Sequence, residues 1–326
     1  RIEPWNSPEG PIPDHIIDVR DRWILPGAVD AHTHFGMPLK GDLKSLGWRE
    51  SSEAALLGGT TTVIDFANPS LGQSLAETVV RWQEAAAHRC LCDYSLHVTV
   101  VDTSEERLAE IPSLVAAGFP TFKGFLAYKG RLMLEPERMK QLMVAVRDAG
   151  AMLLVHAEDG EMNAQAEGVL RDTGRIAPRW HPIAHPPESE AKAVSEATAM
   201  AIETRCPLLL VHLSLPASLD RLQDARARAA RQHEKTPILG EVCLHHLLAD
   251  DELYQAGHQA ALAAICSPPL RDPKSKRALT DALSRGTLNI LSTDHCEFPL
   301  KTKSQAAEGG FYQVPNGCGG VGERVV

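Results

Sequence analysis

Five side chains that commonly hold metal ions stand at the ends of apolar runs. His32 and His34 follow ILPGAVDA, His156 follows MLLV, His212 follows LLLV, and Asp294 follows NILST. A lone histidine at such a place reads as a hydrogen-bonded structural residue. Five ligand types recurring at equivalent places read as donors brought to one cation site. Imidazole with carboxylate suits zinc, manganese, iron or nickel rather than magnesium or calcium, with zinc the default. The i, i+2 spacing of His32 and His34 points both rings to the same side of an extended chain.

A lysine is out of place as well. Lys123 interrupts the apolar run TFKGFLAY. Burial beside cations drives a proton off an ammonium group. The neutral amine can then add carbon dioxide and become a carbamate, an anionic ligand able to bridge two metals. The other reading is a lysine that reaches the surface and pairs with an acid. Lys129, just past Tyr128, competes for the same role from a loop position. His245 and His246 read as supports for a site or as exposed residues, and His97 as a packed residue. His181, His185, His233 and His258 carry no signal, and Cys243 and Cys296 read as packed thiols.

The elements that must carry these residues alternate. Runs at 23–31, 60–67, 93–100, 121–128, 151–158, 207–214, 236–243 and 288–295 are rich in Val, Ile, Leu and Thr. Most are nearly continuous in apolar residues, as strands covered on both faces must be. Between them, 74–88, 135–150, 188–205 and 272–286 repeat apolar residues at helical spacing. Gly150 punctuates the end of the second. Strand–helix alternation implies parallel strands, and eight units of like character close into a (β/α)8 barrel rather than an open doubly wound sheet. Chemistry in such barrels sits at the C-terminal ends of strands, where all five residues fall. The stretches 159–187 and 301–320 read as long loops over that mouth. Residues 15–21 read as a strand outside the barrel.

Bulk properties narrow the function. The 326 residues are 44% hydrophobic and 23% charged, enough for a large core. A net charge of −9 without a long basic run argues against nucleic acid and anionic membrane as partners. No uninterrupted apolar stretch reaches the length of a membrane span, and RIEPWNSPEGPIPDH is too polar for a signal peptide. The seven cysteines are scattered and form no CxxC, which fits a reducing cytoplasm.

Taken together, DAHTHFGMP (30–38), GGTTTVIDFANP (58–69), FKGFLAYKG (122–130), VHAEDGE (155–161), HPPESEA (185–191), VHLS (211–214), CSPPLRDP (266–273), STDHCEF (292–298) and VPNGCGG (314–320) resemble the amidohydrolase superfamily. The nearer resemblance is to its hydantoinase/dihydropyrimidinase family of cyclic amidohydrolases. That resemblance implies two divalent ions, zinc or manganese, held by His32, His34 and Asp294 on one side and by His156 and His212 on the other. Lys123, carboxylated by carbon dioxide, would bridge them in preference to Lys129. It implies hydrolysis of a hydantoin or dihydropyrimidine ring to an N-carbamoyl amino acid. A hydroxide shared by the ions would attack, Asp294 would act as base and then acid, and Tyr128 would stabilise the oxyanion. Ser267 and Asn316 would hold the cyclic imide. Phe35, Met37 and Leu39 would either line a pocket for the ring substituent or simply pack.

The departures from the pattern bear on the substrate. HTHFGMP lacks the arginine of dihydroorotases and the acid of allantoinases, which favours a neutral cyclic diamide; CLHHLL (243–248) nonetheless looks more like those two families. An allantoinase or other cyclic amidohydrolase is therefore the alternative, and a catalytically silent scaffold the more distant one. The family's small β-sandwich would be at most a remnant in residues 1–22, with the barrel in 23–326. Family likeness also implies a homo-oligomer.

Overall fold

The computed structural model describes residues 17–39, 43–231 and 236–324. Eight strands run in sequence order around one sheet: β1 (Ala28–Thr33), β2 (Thr60–Ala67), β3 (Asp93–Thr99), β4 (Thr121–Phe125), β5 (Met152–His156), β6 (Leu208–Leu210), β7 (Ile238–Cys243) and β8 (Ile290–Ser292). Every neighbouring pair from β1–β2 to β7–β8 is parallel. Closure comes just beyond the ends of the first and last strands. Thr33 bridges His295, His34 N donates to His295 O at 2.8 Å, and Thr293 Oγ1 donates to Asp30 Oδ2 at 2.6 Å. The fold is the (β/α)8 barrel expected from the alternation.

Period-two alternation within apolar strands separates two cores. Leu153, Val155, Leu208 and Leu210 pack outward in the large layer between sheet and helices. Leu154 and Leu209, one residue away, join Phe66 and Val211 in a separate inner cluster. Lys123 pairs with Leu154 in the β4–β5 register and therefore shares its inner level. Small residues on the outer face let helices come close. A Cβ added at Gly124 would lie 3.1 Å from Met139 Cε, and one at Gly240 would lie 2.6 Å from Leu222 Cδ2.

The four helices expected from periodicity are Leu75–Ala86, Pro136–Asp148, Pro187–Thr204 and Pro273–Ser284. Two start on side-chain caps: Ser74 Oγ accepts from Glu77 N at 3.2 Å, and Asp272 Oδ1 from Ser275 N at 2.7 Å. Among the described residues no helix is long and apolar enough to cross a membrane.

Three expectations need correction. The first strand begins at Ala28 rather than Trp23, because Pro26 supplies no backbone N–H to a ladder; Trp23, Ile24 and Leu25 are exposed. The stretches 159–187 and 301–320 are not plain loops, since they contain the helices Gly160–Asp172 and Leu300–Ala307. Residues 17–21 lie in no strand, and the rest of the 15–21 expectation, like most of residues 1–22, falls outside the described residues.

Candidate metal centre at the barrel mouth

The structure brings together the donors singled out above. His32 Nε2 lies 3.2 Å and His34 Nε2 lies 3.1 Å from Asp294 Oδ1. The His212 ring centroid is 5.6 Å from that of His32 and 4.4 Å from that of His156. Lys123 rises from the floor, its Nζ 5.0 Å and 5.3 Å from the ring centroids of Phe66 and Phe125. Lys129 instead reaches outward to Glu161 Oε2 at 2.6 Å, an exposed pair that contributes little.

Carboxylates behind the rings set their orientation. His32 Nδ1 donates to Glu241 Oε1 at 2.8 Å, and the same oxygen accepts from His212 N at 3.1 Å. His156 Nε2 donates to Glu158 Oε2 at 2.7 Å, while Glu158 Oε1 accepts from His185 Nδ1 at 2.8 Å. A carboxylate that only accepts assigns the proton to the ring nitrogen facing it. His32 thus sits between two carboxylates, and a neutral ring would turn a bare Nε2 lone pair toward an Asp294 oxygen, itself an acceptor. Two acceptors 3.2 Å apart repel unless a cation lies between them. The donor atoms of His32, His34 and Asp294 all lie within 4.8 Å of one another, so this set fits a metal ion.

Charge follows from burial. Burial alone would raise the Asp294 carboxyl, but positive charge placed among the His32, His34 and His212 rings, as a bound cation would place it, holds it well below the usual carboxylate range. Burial holds His34, His156 and His212 toward the neutral form, the form that binds metal. Burial also pulls the Lys123 amine down to about 8, against the opposing influence of Glu241 and Asp294.

The residues expected to meet substrate also converge. Asn316 Nδ2 donates to Ser267 Oγ at 2.7 Å, and the Tyr128 hydroxyl meets Ser267. Burial pushes the Tyr128 phenol up, which keeps it a proton donor. Its ring lies 5.1 Å from that of His156. Tyr128, His212 and Asp294 lie just past β4, β6 and β8 with φ of 65°, 41° and 49°. Positive φ is costly for such residues and is retained where surrounding structure enforces it, commonly at functional sites.

Other residues fall elsewhere. Phe35 is core, edge-on to Trp48 and His295 at 5.5 Å each, whereas Met37 and Leu39 are half-buried. His97 is packed, as expected, with Nε2 donating to Ala31 O at 2.9 Å. Glu241 and Glu158 went unnoticed in the sequence, and His185, read there as carrying no signal, is the partner of Glu158. Glu241 had the same signal as Lys123, an ionisable residue inside the apolar run TPILGEVC. Glu158 lies two residues beyond His156, on the same side of an extended chain.

A barrel with this donor set at its C-terminal rim defines a class of metal-dependent hydrolase, and the amidohydrolase family model matches residues 23–322. The chain belongs to the amidohydrolase family. It is 33% identical over 314 residues to the D-hydantoinase of Streptomyces coelicolor, covering 96% of this chain and 66% of that protein. It is also 33% identical over 313 residues to the dihydropyrimidinase of Dictyostelium discoideum, covering 95% of this chain and 61% of that one. The solved D-hydantoinase (dihydropyrimidinase) from Thermus sp. superposes with a TM-score of 0.92 at 30% identity, over 98% of this chain and 68% of that one. The chain thus spans about two-thirds or less of the length of the two curated relatives.

Proposed function

We propose that the barrel hydrolyses a cyclic amide, a hydantoin or dihydropyrimidine ring, to an N-carbamoyl amino acid. The observation that carries this reading is the meeting of two imidazoles with Asp294 beside the Tyr128–Ser267–Asn316 cluster. The relatives named hydantoinase and dihydropyrimidinase support the same substrate class.

In this proposal His32, His34 and Asp294 hold one divalent ion and His156 and His212 a second, zinc or manganese in each place. A pair of such ions, when bound, supplies a strong nucleophile from water at neutral pH and polarises the ring carbonyl. Ionised Asp294 accepts the proton of the attacking water and returns it to the leaving ring nitrogen. The Tyr128 hydroxyl donates to the carbonyl oxygen as negative charge develops there. Asn316 and Ser267 fix the imide edge, while Glu241 and Glu158 keep the imidazoles aimed. Lys123 becomes a carbamate; a buried amine lowered to about 8 supports this, because the neutral form is the one that adds carbon dioxide. The proposed catalytic unit is residues 23–326, acting in the cytoplasm and as a homo-oligomer.

The test is a panel of hydantoin, dihydrouracil, allantoin and dihydroorotate with zinc or manganese and bicarbonate supplied. Ring opening of the first two is expected. Preference for allantoin would move the chain to the neighbouring activity, and inertness toward all four would end the proposal.

A further inference from the structure

A second group of ligand-type side chains lies at the same rim, outside the centre just described. His245 and His246 sit in the short helix Leu244–Leu248 that follows β7. One donor atom from each of His245, His246 and Cys266 lies within 4.8 Å of the others. Cys266 belongs to a small buried cluster with Tyr254, Ala261, Ala264 and Leu270, and half-buried Cys318 packs against it.

A packed histidine pair beside a packed thiol would need no ligand, but the hydrogen bonding does not fit that reading. His246 is buried and its Nε2 lies 3.1 Å from Pro268 O. A carbonyl only accepts, so Nε2 carries the proton and Nδ1 presents a bare lone pair. That Nδ1 is buried without a partner among the described residues, and so is Nδ1 of His245. Leaving a buried ring nitrogen unpaired is costly, and two adjacent cases are more so. A ring whose second nitrogen is tied to a backbone carbonyl is oriented as a metal-binding histidine usually is. The thiols make only weak contacts: Cys266 Sγ lies 3.3 Å from Pro268 O, Cys318 Sγ lies 3.4 Å from Ala263 O, and the two thiols meet each other.

We propose that His245, His246, Cys266 and Cys318 form a binding site for a borderline-soft divalent cation of the zinc class. Two nitrogens and two sulfurs make the tetrahedral donor set such a cation prefers. Binding releases the thiol protons to solvent and involves no redox change. The cradle is already built. Lys303 Nζ donates to Ile265 O at 3.1 Å and Gly317 O at 2.6 Å, tying the residue before Cys266 to the residue before Cys318. Tyr254 Oη donates to Ala264 O at 2.9 Å and accepts from Leu270 N at 3.1 Å. The cation would cross-link the segments that carry Ser267 and Asn316, stiffening the substrate clamp of the proposed reaction. The site itself does not depend on that reaction.

Cobalt(II) titration of the reduced full chain tests the site, because thiolate ligation gives a near-ultraviolet charge-transfer band that nitrogen and oxygen donors do not. The wild type should show the band. Cys266→Ser should lose it together with one equivalent of bound cobalt. His34→Ala, which strips the proposed hydrolytic centre, should keep it, as should Cys243→Ser, which removes the sulfur near His32. A wild type without the band overturns the proposal, as does a band that Cys266→Ser leaves undiminished. Should Cys266→Ser fail to fold, a band that survives both Cys318→Ser and His246→Gln overturns it equally.

Discussion

The two sides of the barrel mouth are built differently. On the first, His32 and His34 meet a carboxylate of their own, Asp294, at 3.2 and 3.1 Å. On the second, His156 and His212 pack ring to ring at 4.4 Å. Among the described residues they belong to no group of three His, Cys, Asp or Glu donors. The first side therefore carries its own negative charge. The second has two neutral rings and, beneath them, the Lys123 amine. A dication held by neutral imidazoles alone leaves its charge uncompensated in a buried place. The nearest carboxylate on that side, Glu158, is taken up by His156 and His185, so under the proposed function a modified Lys123 would supply the ligand charge.

The largest expected effect lies on the first side. Asp294→Asn keeps the shape and removes both the charge and the proton acceptor. Loss of general acid–base catalysis alone costs about 10²–10⁴-fold in kcat, and the lost ligand charge adds to it. Near-normal turnover in a variant with unchanged circular dichroism would remove Asp294 from the mechanism. Lys123→Met then probes the second side, filling similar volume with an apolar chain. Metal analysis should show the second equivalent lost and the first kept. Two equivalents retained would mean that Lys123 is not the anion source and that the asymmetry has another remedy.

The sides also differ in what stands behind them. Glu241 is fixed by backbone, accepting from His212 N as well as from His32. Glu158 is fixed by another titratable group, His185. Removing such a support typically costs 10- to 100-fold in metal affinity or activity, so about that loss is expected from Glu241→Gln and from Glu158→Gln. The two should separate by which ion becomes weakly held, the first-side ion for Glu241 and the second-side ion for Glu158. Metal-competition titrations that found the same ion weakened by both would erase the distinction.

This division also marks what the sequence made legible. The barrel was readable because both-face burial leaves long Val, Ile and Leu runs, and the ligands because histidine is anomalous at the end of such a run. Lys123 was readable for the same reason. Glu241 stands out equally inside TPILGEVC, but it lies within its run, away from the strand ends where the ligand types gather. His185 could not have been found this way. It lies at the C-terminal end of the short helix His181–Ala184, and only tertiary folding brings it to Glu158. Helices such as Gly160–Asp172 were hidden because their apolar face is narrow and buries only Gly160 and Leu170.

The smallest predicted effect concerns acid. The second-side support runs from His156 through Glu158 to His185, whose ring lies 4.8 Å from that of His181. Burial pulls His181 down to about 3, and Nε2 donates to Cys266 O at 2.7 Å. His181 thus stays neutral in the fold but takes up a proton near its ordinary pH of 6.5 when unfolded. Between those values the unfolded chain binds more protons, so stability rises with pH and is lost as pH falls from about 6.5 toward 3. The slope contributed by one such group is at most about 1.4 kcal/mol per pH unit. His181→Gln keeps a donor for Cys266 O but does not titrate. Denaturant unfolding of this variant should show a shallower acid-side decline than the wild type. An unchanged slope would mean that the acid sensitivity resides in groups other than His181.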